Sequence, residues 1–169
     1  VSSQTAEVLF DVPDIFNQRI VINRGQLKNV ALGSPVIDSG GVVGQVTRVF
    51  PLTSEVTLLT DRDQSIPVLN SRTGARNITS GDVLAGLPVI ELKFVPASAD
   101  VKEGDLLTTS GIDGIYPAGL QVARISQIER RVDISFARIH ASPLAELKGR
   151  HVLVLQPAAA STTNKGKTP

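Results

Sequence analysis

The sequence predicts an all-β protein made of two small antiparallel β-barrels that lie side by side and are related by an internal duplication. The first observation is a repeat, because Val-x-x-Gly-x-x-apolar occurs at residues 30–36 and again at 101–107. A Gln-Val-x-Arg-(Val or Ile) stretch follows each copy, at 45–49 and 121–125. The offset grows from 71 (104 minus 33) to 76 (121 minus 45), which predicts about five extra residues in the second turn region. A long repeat that is used twice indicates two related modules rather than a solenoid.

The second observation is that the apolar runs are short, rich in Val and Ile, and broken by Gly, Pro, Asn and Asp, as is typical of strands. One of them alternates Ile90, Leu92 and Phe94 with polar neighbours, so we expect Phe94, and likewise Phe136, to fill the barrels. Proline near the start allows short helices at 13–17 and 143–148. Strands are predicted, in order, at 7–10, 19–23, 35–38, 42–50, 55–60, 66–69, 89–95, 106–109, 121–131, 134–140 and 151–156.

The third observation is a shared irregularity in the two Gln-Val-x-Arg stretches. Their apolar residues lie three apart, at Val46 and Val49 and at Val122 and Ile125, so strict alternation cannot place both members of a pair on one face. A β-bulge at the same point of each repeat resolves this, and barrels turn their corners in that way. We expect the barrels to be partly open, with strand edges that allow self-association.

The repeat also predicts how the chain divides. We expect residues 1–17 to lead in from a missing coiled coil, 18–88 to form the first barrel, and 89–156 the second. The C-terminal strand is allowed to leave the second barrel and pair with the first. Residues 157–169 are expected to be a disordered tail. We expect Gly33 and Gly104 to have equivalent roles and positive φ. They belong to a set of six glycines that we interpret as turn residues: Gly33, Gly40, Gly41, Gly104, Gly111 and Gly119.

Composition narrows the function. The chain is 41% hydrophobic, 20% charged and 4% aromatic, with a net charge of +1 and no cysteine. It therefore lacks both the positive charge and the stacking residues of a nucleic-acid-binding module, and it has no thiolate metal site. The two histidines, His140 and His151, have no metal-ligand spacing, and we expect neither a metal nor a cofactor. Without any Met, the chain is expected to be a fragment of a longer protein.

A protease is the alternative function. Asp38-Ser39-Gly40-Gly41 is similar to the nucleophile loop of chymotrypsin-like serine proteases and to the Asp-Ser-Gly of aspartic proteases. However, a serine mechanism requires a histidine base, and both histidines lie far downstream. An aspartic mechanism requires a second carboxylate, and the repeat places Thr109 opposite Asp38. The same residues also suit a hairpin turn.

An ordered set of short motifs resembles the MreC family of bacterial rod-shape-determining proteins over residues 18–155. The pieces, each unspecific alone, are Val21-Ile-Asn-Arg-Gly25, Val30-x-x-Gly33, Pro35-Val36, Gly40-Gly-Val-Val-Gly-Gln-Val46, Thr53-Ser-Glu-Val-Thr-Leu-Leu-Thr-Asp61, Ile66-Pro-Val68, Val101-x-x-Gly-Asp105, Thr109-Ser-Gly111, Tyr116-Pro-x-Gly119 and Val152-Leu-Val-Leu155.

This resemblance implies a periplasmic double β-barrel without enzymatic activity, anchored in the inner membrane by a segment absent here. It implies a scaffold of the cell-wall elongation machinery, acting alongside MreB, MreD, RodA and RodZ. It also implies that the protein engages and activates the elongation-specific class B penicillin-binding transpeptidase and self-associates. No nucleic-acid partner is implied.

Aromatic residues are scarce, so the candidates for a protein-binding anchor are few. Phe16 lies near the entry from the missing coiled coil, and Tyr116 lies on a predicted turn with a hydroxyl suited to a half-exposed position. We expect both to be solvent-accessible and to contribute to partner binding. The alternative for Tyr116 is that it closes a barrel end or packs between the modules.

Overall fold

The computed structural model describes residues 2–12, 14–15, 17–131, 133 and 135–156. Within them the regular secondary structure consists of strands and a 3-10 helix at Gln26–Lys28. The strands are β1 (Ser3–Val12), β2 (Arg19–Ile22), β3 (Pro35–Ile37), β4 (Val42–Val49), β5 (Ser54–Leu58), β6 (Ser65–Asn70), β7 (Arg76–Leu84), β8 (Leu87–Pro96), β9 (Leu106–Thr109), β10 (Gln121–Glu129), β11 (Phe136–Pro143) and β12 (His151–Leu155).

These strands form two closed six-stranded antiparallel barrels, which confirms the predicted fold class. The first has the order β1-β12-β3-β4-β5-β2, and the second β10-β11-β8-β7-β6-β9. Each barrel encloses its own cluster of buried aliphatic side chains, centred on Ile20, Ile22 and Val56 in the first and on Ile66, Ile90 and Ile139 in the second. The expectation of partly open barrels is wrong, because each sheet of six strands closes on itself.

The duplication is arranged so that one barrel is continuous in sequence and the other is not. The second barrel uses six consecutive strands, β6 to β11, whereas the first uses β1 to β5 and is closed by β12. This last strand pairs with β1, where Leu155 lies opposite Ser3, and with β3, where Val154 lies opposite Val36. In strand order, β12 therefore occupies in the first barrel the place that β6 occupies in the second.

The expected boundaries at residues 18 and 88 differ from this arrangement. β1 is a barrel strand rather than a lead-in, and β6 and β7 belong to the second barrel rather than the first. The cause is the position of the repeat motifs, which mark only the strands after β2 and after β8. Strands that precede a motif could not be assigned from it, and the first barrel takes one of its strands from the far end of the chain.

Two local predictions also differ from the structure. Strand β7 was not predicted, because its buried residues include Thr79, Ser80 and Gly81 and show no apolar alternation. The helix expected at 143–148 is not formed; the segment bends, and the N–H of Glu146 donates to the Asp38 carboxylate instead of to a helical carbonyl. The predictions for 13–17 and 157–169 fall partly or wholly outside the described residues.

The glycine turns that open the two repeats make the same backbone hydrogen bond. The N–H of Gly33 donates to the carbonyl of Val46 (2.8 Å), and that of Gly104 donates to the carbonyl of Ile125 (2.7 Å). Val46 and Ile125 are thus equivalent, so the offset grows from 71 to 79 and the insertion is eight residues, not five. The bulges follow the same register, between Val46 and Arg48 and between Ile125 and Gln127.

Candidate functional site

The clearest candidate binding feature is a pair of exposed aromatic rings on the second barrel, which we call the aromatic patch (Phe94 and Phe136). Phe94 is 77% exposed and Phe136 is 50% exposed. The expectation that they fill the barrels is therefore wrong. Exposed aromatic side chains are costly in water and are enriched at protein interfaces, which makes this patch a candidate contact surface.

A β-bulge causes the exposure of Phe94. Ala137 lies opposite Val95 and Ile139 lies opposite Leu92, so two residues of β8 face the single residue between them on β11. The extra residue reverses the alternation beyond Leu92, and Val95 enters the core in the place expected for Phe94. The sequence carried one sign of this, because Phe94 and Val95 are adjacent apolar residues and cannot both face inward.

The backbone at Phe94 is strained. Its φ is 58°, in the left-handed region that glycine adopts freely and that a bulky residue adopts at a cost of about 1 kcal/mol. Strained residues of this kind persist where the surrounding structure fixes them, and they are concentrated at functional sites. A phenylalanine that is both strained and exposed contributes little to folding, which favours a role in binding.

The two rings form one surface. Their centroids are 6.0 Å apart and the planes meet at 77°, an edge-to-face contact. They border a shallow groove of about 400 Å³ that also contacts the cations Lys93, Arg131 and Arg138. Nε of Arg131 donates to Oε1 of Glu129 at 2.9 Å along one side of the groove.

Tyr116 does not belong to an exposed site. It is 2% exposed and packs in the hydrophobic cluster that fills the second barrel. Val42 of β4 and Leu59, which follows β5, also belong to that cluster. The expectation of solvent accessibility is therefore wrong. Its hydroxyl oxygen lies 3.1 Å from Nε2 of Gln64, and that nitrogen also donates to Oε1 of Gln45 on β4 (2.9 Å). Burial raises the pKa of Tyr116, since the charged phenolate would lose its hydration. Tyr116 is thus a core residue at the junction between the barrels, as the alternative had it.

Phe16 lies outside the described residues, and its role in partner binding stays a prediction. Neighbouring Ile15 is described and exposed. It lies beside a second groove, between the barrels, together with Val12 and Leu87.

The Asp-Ser-Gly-Gly loop forms a contact between the barrels, which we call the seam turn (residues 38–41). The N–H groups of Gly40 and Gly41 donate to Oδ1 of Asp38 (2.8 and 3.1 Å), and the N–H of Glu146 donates to Oδ2 (2.7 Å). A Cβ at Gly40 would overlap the carbonyl oxygen of Leu144. The Asp38 carboxylate therefore holds the turn against the connection from β11 to β12.

The geometry gives no support to the protease alternative. Both oxygens of Asp38 accept backbone hydrogen bonds, which is the role of a turn residue. Nε2 of His140 lies 3.2 Å from Oδ2 of Asp82, and both residues belong to the second barrel. His151 begins β12 of the first barrel.

The predicted turn glycines differ in what their positions require. Gly33 and Gly104 have φ of 87° and 89°, and Gly111 and Gly119 also have positive φ. Gly40 is required by close packing instead of by its φ. Within the part of the chain that the structure describes, no helix is long and apolar enough to cross a membrane. The same residues contain no group of three or more histidines and carboxylates suited to hold a metal ion.

Comparisons with known proteins add to this geometry. The family model described as "Rod shape-determining protein MreC, barrel core" matches residues 8–156. The cell shape-determining protein MreC of Haemophilus influenzae is 44% identical over 154 residues, which cover 90% of this chain and 43% of that protein. The chain therefore spans less than half the length of this relative.

Solved structures are similar over nearly the whole chain. MreC from Pseudomonas aeruginosa gives a TM-score of 0.87 at 39% identity, covering 92% of this chain and all of that one. A chain in the complex between a penicillin-binding protein (PBP2) and MreC from Helicobacter pylori gives a TM-score of 0.66 at 18% identity, covering 90% and 96%. At that identity the second likeness concerns the fold alone.

Proposed function

This chain belongs to the MreC family of rod shape-determining proteins, and from that premise we propose that it is a non-catalytic scaffold of the cell-wall elongation complex. We propose that it binds and activates the elongation-specific class B penicillin-binding transpeptidase. The other partners proposed from the family resemblance are MreD, RodA, RodZ and, through the complex, MreB. A scaffold of this kind acts on the periplasmic side of the inner membrane, anchored by a segment outside this chain.

A comparison supports a penicillin-binding protein as the partner, and an observation on this chain supports the place where it binds. A relative from Helicobacter pylori has been solved in complex with one, and it shares this double-barrel fold. The proposal for this chain rests on one observation, the aromatic patch. Interfaces take much of their energy from a few large side chains that become buried on binding, and Phe94 and Phe136 are suited to that role.

The experiment measures binding of the purified extracytoplasmic region of the transpeptidase from the same genome to this double barrel. Phe94→Ala and Phe136→Ala are each expected to weaken binding tenfold or more, since each removes a buried anchor from the complex. Phe50→Ala is the matched control, because Phe50 is an exposed phenylalanine on the first barrel. Melting temperatures of all three variants are measured in parallel.

Equal binding by the wild type, Phe94→Ala and Phe136→Ala would contradict this site. A weakened Phe50→Ala variant with unchanged patch variants would move the site to the first barrel. Lost binding that accompanies a large fall in melting temperature would be assigned to folding, and Phe94→Leu and Phe136→Leu, which keep an apolar side chain, would then be tested for recovered binding.

We also propose self-association. Because both barrels are closed, open edges do not support it; exposed apolar residues of the first barrel, such as Leu9 and Phe10 on β1, do. Sedimentation over a range of protein concentrations tests this, with Leu9→Ser and Phe10→Ser as variants expected to shift the distribution towards monomer. A wild type that stays monomeric at millimolar concentration would contradict it for this part of the protein.

A further inference from the structure

The surface around the aromatic patch carries more exposed positive than negative charge. Three cations border its groove, Lys93, Arg131 and Arg138, and all three are exposed. The two acidic residues of the groove, Glu91 and Glu129, are only half-exposed. The chain as a whole has a net charge of +1, so this local excess of exposed positive charge does not simply follow from the composition.

One of the two acidic residues, Glu129, is already engaged with one of the protein's own cations. Oε1 of Glu129 accepts a hydrogen bond from Nε of Arg131, and Glu129 lies directly opposite Arg138 in the ladder between β10 and β11. Glu91 has no ion pair to another described side chain, so it is the one carboxylate of the groove that stands against the remaining cations. Lys93 has no hydrogen bond or ion pair to another described side chain, and the same holds for Arg138. Two cations beside the rings are thus available to a partner.

The apolar part of the surface lies beside these cations, since Lys93 and Phe94 both face Arg138 across the bulge. Phe94 follows Lys93 in β8, and Phe136 lies two residues before Arg138 in β11. A large apolar side chain placed against the rings would therefore have both cationic groups at one end of it, because Phe136 lies further along the strand pair, opposite Pro96. Carboxylates next to that side chain would meet these cations at an interface where water is partly excluded, which strengthens their attraction.

We infer that the aromatic patch recognises a protein segment in which a large apolar side chain lies next to carboxylates. This rests on the proposed function only in taking the segment to belong to the penicillin-binding transpeptidase. The rings supply the buried contact area, while Lys93 and Arg138 select the charge of the neighbouring residues and accelerate association. Arg131, already paired with Glu129, contributes less.

A peptide probe tests the recognition chemistry without the transpeptidase. Acetyl-Glu-Leu-Asp-Leu-Glu-amide is titrated into isotopically labelled protein, and acetyl-Gln-Leu-Asn-Leu-Gln-amide is its matched uncharged control. The acidic peptide is expected to shift the amide resonances of residues 91–95 and 136–138 and to saturate at a concentration at least fivefold lower than the control. Equal responses to the two peptides, or no response to either at the patch, would overturn the inference.

The second arm uses the transpeptidase region itself. The double variant Lys93→Glu with Arg138→Glu is expected to lower its association rate at least tenfold at low salt, and wild-type association is expected to slow as salt is raised. Arg150→Glu is the control, since Arg150 is an exposed cation just before β12. If Phe94→Ala abolishes binding but charge reversal and salt do not affect it, the charge inference fails while the proposed function stands.

The two arms also separate the remaining outcomes. If the transpeptidase region does not bind at all while the acidic peptide still selects the patch, the proposed function fails and the recognition chemistry stands. If Phe94→Ala instead changes the sedimentation of the protein alone, the patch is occupied by a second copy, which overturns the inference.

Discussion

The two barrels begin their repeats with the same glycine turn, but the buried polar residue after that turn differs between them and makes different hydrogen bonds. In the first barrel Oγ of Ser34 donates to the carbonyl of Ala31 at 2.6 Å. In the second, Asp105 accepts from the N–H of Lys102, which corresponds to Ala31 (2.9 Å). It also accepts from Nδ2 of Asn70 and from two nitrogens of Arg72, at 2.8 to 2.9 Å.

This difference shows where each barrel obtains its local stability. The second barrel connects β6, through Asn70 and the following Arg72, to the turn before β9 by hydrogen bonds to one carboxylate. The first barrel has only a neutral hydroxyl there, and its corresponding strand is β12, which comes from the other end of the chain. The first barrel thus depends more on its closing strand and on the contacts between the barrels, and the following predictions test that dependence.

The largest effect is expected from removing the closing strand. A chain that ends at Arg150 lacks β12, which leaves β1 and β3 without their common partner. We expect the first barrel to lose its structure while the second, made of consecutive strands, keeps its own. Amide hydrogen exchange read residue by residue measures this, with a chain that ends at Gln156 as control. Protection in β1 to β5 after the removal of β12 would contradict the prediction.

The next effect concerns the seam turn. Gly40→Ala places a Cβ against the backbone carbonyl of Leu144, which has no rotamer with which to move away. We expect it to lower the free energy of unfolding by about 2–3 kcal/mol, the usual cost of overpacking. Gly74→Ala is the control, because its Cβ meets no atom within 4 Å and the substitution has only the cost of positive φ. Urea denaturation that gives equal losses for the two variants would argue against a packed seam.

The buried residue after the glycine turn gives the third effect. Asp105→Asn is expected to lower the free energy of unfolding by about 2 kcal/mol at pH 7, and Ser34→Ala by about 1 kcal/mol, since bonds to charged groups contribute more. The hydrogen bonds from Arg72 hold the pKa of Asp105 well below its usual range.

That pKa fixes the sign of the pH dependence. The carboxylate contributes fully above its unfolded pKa of about 3.9, and the contribution is lost as pH falls through the lower folded value. The gap between wild type and Asp105→Asn should therefore begin to narrow near pH 4 and continue to narrow as pH falls further, while the gap between wild type and Ser34→Ala stays constant. Chemical denaturation at a series of pH values measures this, and a gap at Asp105 that does not change with pH would contradict it.

The smallest effect tests the feature that the repeats share. Gly33→Ala and Gly104→Ala are each expected to cost about 1 kcal/mol, because both positions need φ near +90° and neither Cβ would meet a close neighbour. Thermal or urea unfolding of both variants gives the comparison. A difference of more than about 1 kcal/mol between them would show that the two turns are not equivalent.

Much of the fold could be predicted from the sequence, because repeated glycine turns and Val-rich runs report local backbone conformation. Ten of the twelve strands were predicted within a few residues of their bounds, and β1 in part of its length. The polar β7 was missed, since nothing in its own residues shows that Thr79 and Ser80 are covered by the neighbouring strands.

The candidate site was predicted poorly, because it depends on register and not on residue type. One bulge decides whether Phe94 or Val95 faces the core, and the pairing with β11 sets that bulge. Tyr116 looked suited to a half-exposed turn, and it is buried because another barrel lies against it. Both errors concern contacts between residues distant in sequence, which a local pattern does not encode.

The pairing of the first strand with the last also determines the order in which the two barrels can fold during synthesis. β1 to β5 are complete at Leu58, yet the first barrel cannot close until Leu155 has followed, 97 residues later. At about 5–20 residues per second that is a delay of roughly 5–20 s, long compared with the folding of a small domain. Meanwhile β6 to β11 are complete and can close by themselves. The part synthesised first therefore finishes folding last, and its unpaired strands need protection from other chains during that interval.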